Sequence, residues 1–93
     1  MTTVYKYPLP IGDVVQVWMP QGAYVLYVAT QGPHESPYIW ARVNTLSPMI
    51  SHKFRFAGTG HPIDDNVGRH VGSFMMQQGA LVFHVFEVMK GAS

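Results

Sequence analysis

The chain has 93 residues, 47% hydrophobic and 12% charged, with a formal net charge of +1. That length makes one domain, residues 1–93, and the charged fraction is half of the roughly 25% usual for soluble domains. The six Lys and Arg are scattered, without the basic stripe that nonspecific nucleic-acid binding needs, and the absence of cysteine excludes disulfides, thiolate metal sites and a cysteine nucleophile.

From the N-terminus, Val4–Leu9 is short, aromatic and ended by Pro10. Asp13–Met19 alternates weakly and ends at Met-Pro, with Pro20 and Gly22 breaking the chain. Ala23–Gln31 is rich in Val and Tyr, and QGPHESP is a loop. Tyr38–Thr45 alternates, with Ile39, Ala41 and Val43 on one face and Trp40, Arg42 and Asn44 on the other. Ile50–Ala57 places His52, Phe54 and Phe56 together, opposite Lys53 and Arg55. Gly72–Gln77 reads as a sixth strand and QQG as a hairpin turn. Leu81–Lys90 is apolar on both faces, as a central or interface strand is, and Ala23–Val28 is similar. The pattern predicts an all-β domain, a sandwich or barrel-like meander of about seven short strands. A helix is expected at most as one turn within Pro62–Val71. A surface this poor in charge is expected to be buried in part in a homo-oligomer, because obligate interfaces resemble a core cut in half.

No apolar run approaches the roughly 20 residues of a membrane helix. The opening MTTVYKYPLP lacks the charged-then-apolar pattern of a signal peptide, so a cytoplasmic protein is expected.

The segment from Gly58 to Gly72 builds little core, and the candidate site lies there. Glycines let backbone amides approach a ligand, and successive amides form anion-binding concavities. The amides of Gly58, Thr59 and Gly60 are therefore candidates to cradle a phosphate. His61, Arg55 and Arg69 would supply cationic partners, Asp64 would accept from a hydroxyl, and Trp40 would stack on a base. The same residues have a plainer reading, since Pro62, Asp64, Asp65 and Asn66 are ordinary turn formers. There is no GxxxxGK[ST] loop, and Pro62 interrupts the helix a dinucleotide fingerprint requires. The five histidines show no strong metal-ligand spacing, so no metal and no cofactor is expected. His84, among Val82, Val85 and Phe86, reads as a core histidine, and His52 more weakly so. The serines lie in no nucleophile elbow.

The stretches YKYPLP, MPQGAYVLYVATQ, YIWARV, FAGTGHPI and GALVFHVFE, in this order, cover nearly the whole chain. In them the sequence resembles a family of roughly 90-residue accessory proteins of tailed phages and prophages whose function is unknown. The resemblance implies a phage protein acting in the host cytoplasm, and it brings no catalytic residues. By analogy with small phage accessory proteins, the expected role is counter-defence, by a non-enzymatic protein that sequesters a small anionic nucleotide-derived immune signal. A protein-protein inhibitor docking on a host defence complex, such as a CRISPR effector or nuclease, is the alternative. A small hydrolase of such a signal is the third reading.

Overall fold

A computed structural model describes residues 1–65 and 67–88. It contains β1 (Thr2–Pro8), β2 (Val14–Pro20), β3 (Tyr24–Gln31), β4 (Ser36–Asn44), β5 (Met49–Gly58), β6 (Val67–Met76) and β7 (Leu81–Val88). All pairings are antiparallel, in a three-stranded sheet β1-β4-β3 and a four-stranded sheet β2-β5-β7-β6. The protein is an all-β sandwich. Among the described residues there is no helix, and so none long and apolar enough to cross a membrane.

Period-two alternation builds this core. Ile39, Ala41 and Val43 of β4 face Phe54, Phe56 and Val85 of the other sheet in one apolar cluster. Phe54, Met19, Ile39, Val43 and Val85 are essentially inaccessible, and each such side chain contributes about 1.5–3 kcal/mol on burial. β7 is central, between β5 and β6, as its two apolar faces suggest. β3 is not central, although Ala23–Val28 reads the same way. It is an edge of its sheet, and its apolar content is explained by close packing against β6. There a Cβ on Gly72 would lie 2.8 Å from Val28, so only glycine lets the two edges approach this far. Thr30 Oγ1 donates to the Met75 carbonyl (3.2 Å) and Arg69 Nη2 to the Val25 carbonyl (3.3 Å) along the same seam.

One expectation is corrected in the glycine-rich segment. The sixth strand begins at Val67 rather than Gly72, so strand occupies the end of Pro62–Val71. The pairing of β6 with β7 shifts register between Val67 and His70 and again between His70 and Gly72. Two irregularities so close together break the alternation by which a strand is read from sequence. Asn66 and Lys90 lie outside the described residues.

The QQG hairpin turn has a structural support that its sequence does not announce. Gln77 and Gln78 adopt φ of 53° and 55°, a left-handed backbone that glutamine seldom takes, within a four-residue loop between Met76 and Leu81. The Glu35 carboxylate, from the β3–β4 loop, accepts from both their amides, at 2.6 and 3.3 Å.

Candidate functional site

The GTGH stretch is a tight turn in the structure. The His61 amide donates to the Gly58 carbonyl at 3.0 Å, and Gly60 has φ of 86°, the value the third position of a type II turn requires. The His61 ring folds onto Gly58, 2.9 Å from where a Cβ would stand. The His61 amide is therefore spent inside the turn. A concavity of successive amides filled by an anion does occur in this protein, but at Gln77 and Gln78, where Glu35 fills it.

The eight expected site residues divide into separate places. Arg55, Gly58 and His61 line one cleft of about 240 Å³ together with Asp13, Phe56 and Pro62. There the Arg55 guanidinium is already engaged, donating to the carbonyls of Asp13 and Phe56. Thr59 turns to the outer face of the four-stranded sheet and bonds His84. Gly60 and Asp64 are exposed, and the Asp64 carbonyl accepts from the Val67 amide. Trp40 lies elsewhere, on the outer face of the three-stranded sheet. Arg69 reaches that region from β6, with its guanidinium 4.3 Å from the Tyr24 ring centre.

His84 is not a core histidine. It stands half-buried on the outer face of the four-stranded sheet, with Nε2 2.9 Å from Thr59 Oγ1 and Nδ1 2.8 Å from Ser73 Oγ. Ser73 Oγ is also 3.0 Å from His70 Nε2, so four side chains form one hydrogen-bonded run. His52 is half-buried, with Nε2 against the carbonyls of Met19 and Pro20. Among the described residues, no three His, Asp or Glu side chains gather as metal ligands would.

The strongest constellation is built by register. β4 pairs Trp40 with Lys6 of β1 and with Tyr27 of β3, and pairs Arg42 with Tyr24. These side chains share the outer face with Tyr38. The Trp40 ring centre lies 5.5 Å from that of Tyr27 and 6.2 Å from that of Tyr38. Lys6 Nζ sits 4.5 Å from the Tyr38 ring centre and donates to Gln31 Oε1 at 3.1 Å. Arg42 lies 5.8 Å from the Tyr24 ring centre. Tyr27 remains 60% exposed, which leaves much of its surface open for stacking.

β1, β3 and β4 contain no Asp or Glu. Among the described residues the one ion pair is Arg69 with Glu87, at 3.1 Å. Lys6 and Arg42 are therefore cations without a paired carboxylate, set on aromatic rings. Such contacts contribute about 0.5–1 kcal/mol each at exposed sites and leave the charge available to an anion.

Sequence reasoning placed Trp40 and Arg42 on one face and singled out Trp40. It did not single out Tyr24, Tyr27, Tyr38 or Lys6, because which strands flank β4 is a property of topology. The signal within reach was the absence of acidic residues from three aromatic strands.

The fold and this face together define a small all-β sandwich with an aromatic, cationic outer sheet. The chain belongs to the family described as a domain of unknown function (DUF7352), which matches residues 1–93. No curated protein and no solved structure matches it.

Proposed function

We propose that this protein is a non-enzymatic binding module for a nucleotide-type ligand, and that the outer face of the three-stranded sheet is where it binds. One observation carries the reading. Tyr27, Trp40 and Tyr38 form a contiguous aromatic surface beside two cations without paired carboxylates, Lys6 and Arg42. Planar bases stack on such surfaces, and phosphates meet such cations. Trp40 keeps the stacking role expected from sequence. Arg69 joins it at the edge of the face, while the Gly58–His61 turn leaves the binding site.

The biological role in this proposal is counter-defence in a phage-infected host cytoplasm, by sequestration of a nucleotide-derived immune signal. It rests on the resemblance to phage accessory proteins. A homo-oligomer belongs to the same proposal. It is supported by Val14, Trp18, Met49 and Met75, all more than half exposed on the outer side of the four-stranded sheet. That apolar surface also favours the second reading, a protein-protein inhibitor of a host defence complex.

A thermal-shift panel of cyclic dinucleotides, cyclic trinucleotides and ADP-ribose derivatives tests the proposal. Ligand at a hundredfold over its dissociation constant stabilises by about 2.7 kcal/mol, which for this size raises the melting temperature by roughly 10 °C or more. The shift is expected in the wild type and lost in Trp40→Ala. Release of the bound ligand intact supports sequestration, and release of an altered ligand supports the hydrolase. No shift with any probe overturns the reading and moves the search to a host protein partner.

A further inference from the structure

The cations of the aromatic face lie at its two ends. Lys6 leaves β1 opposite Trp40, but its amine leans over Tyr38 to reach Gln31, whose strand partner is Ser36. Arg42 lies on the other side of Trp40 along β4, beside Tyr24, with Arg69 beyond it. Lys6 Nζ is also 6.0 Å from the Trp40 ring centre, and Tyr38 and Arg42 stand two residues to either side of Trp40 on β4. The ring pair Tyr27–Trp40 occupies the row between them.

From this order, cation, aromatic centre, cation, we infer that the ligand is an oligonucleotide of at least two nucleotides, lying along β4 with phosphates on both sides of a stacked base. The inference rests on the binding reading above and sharpens it. A nucleoside monophosphate carries its phosphate on one side of its base. With the base on Tyr27 and Trp40 it meets either Lys6 or Arg42, and the other cation stays unused. An internucleotide linkage supplies the second phosphate. Two sources share this chemistry, a short linear or cyclic oligonucleotide and a longer single strand.

The test is fluorescence titration of a Trp18→Phe protein, which leaves Trp40 as its one tryptophan of the two in the chain. The probes are uridine monophosphate, the linear dinucleotide pUpU, cyclic diuridylate and an eight-residue oligouridylate. The expected result is quenching by the dinucleotides at least about tenfold tighter than by the monophosphate, as one more engaged group of this kind can bring. Each phosphate contact contributes about 0.7 to the slope of log affinity against log salt, so two contacts give a slope near −1.4. Lys6→Gln and Arg42→Gln are each expected to lower its magnitude by about 0.7. Both side chains are at the surface, and a melting curve of each variant checks that it folds. Cyclic diuridylate or pUpU binding as well as the octamer assigns the site to a short ligand. A tighter octamer assigns it to a single strand, and either result supports the two-phosphate site. Monophosphate binding as tight as pUpU, or slopes unchanged in both Gln variants, overturns the inference while the binding reading stands. Failure of every probe to quench Trp40, together with no shift across the thermal panel, overturns both.

Discussion

On the outer face of the three-stranded sheet, Tyr27 and Trp40 lie between Lys6 and Arg42 with no acidic residue on the strands. On the outer face of the four-stranded sheet, Trp18, Val14 and Met75 are exposed beside a hydrogen-bonded run of His70, Ser73, His84 and Thr59. Both faces back onto the same apolar core, so the difference owes nothing to folding. It teaches that the inner positions of each strand are held by packing while the outer ones are free to diverge in chemistry. The first face is suited to planar anions, and the second to an apolar partner.

Four tests, five substitutions in all, probe that contrast. The largest effect is expected for Phe54→Ala, which removes a side chain 2% exposed at the centre of the shared core. Loss of a buried Phe costs about 3–5 kcal/mol, much of what holds a domain this small together. Chemical denaturation should show both faces lost in one transition, and two separate transitions would break the idea of one core. Gly72→Val comes next. Its side chain would collide with Val28 at the seam of β3 and β6, and overpacking of this kind costs about 1–3 kcal/mol. A variant as stable as the wild type would mean that the sheets are not held that closely.

The third is a pair. Trp40→Ala should weaken nucleotide binding by about 1–3 kcal/mol, the usual loss for a stacked base, with the melting temperature little changed. Trp18→Ala, equally aromatic but on the other sheet, should leave binding unchanged and reduce self-association in sedimentation. Equal effects of the two on ligand affinity would erase the distinction between the faces. The smallest effect concerns Tyr7, which packs against the core from β1. Burial, with a smaller push from Tyr5, raises its phenol pKa above the ordinary 10.0. The folded state then holds the proton more tightly than the unfolded chain does. This contribution is fully present below about pH 10 and is lost as pH rises through the raised value. Tyr7→Phe should flatten that alkaline slope in stability measured against pH, and an unchanged slope would assign it to another group.

Much of the fold was written in local pattern. Ile39, Ala41 and Val43 opposite Trp40 and Arg42, and Phe54 and Phe56 opposite Lys53 and Arg55, follow from alternation alone, because a strand with one buried face must repeat every two residues. The turns at Pro20 and Gly22 and at QQG follow from backbone chemistry. Where the rule is interrupted, local pattern is silent. The part of β6 before Gly72 does not read as strand because its two register shifts scramble the alternation. His84 reads as a core residue because alternation says which residues share a face but not which face looks inward. The candidate site depended still more on tertiary structure. Val4–Leu9, Ala23–Gln31 and Tyr38–Thr45 could each be recognised as strands, yet only the order β1-β4-β3 sets Lys6 and Tyr27 on either side of Trp40. The sequence by itself determined seven strands, their turns and most of the core, since those depend on residues near one another in the chain. The neighbours of Trp40 and Arg42, and the turn that spends the His61 amide inside GTGH, were decided by tertiary structure, because strand order and register join residues tens of positions apart.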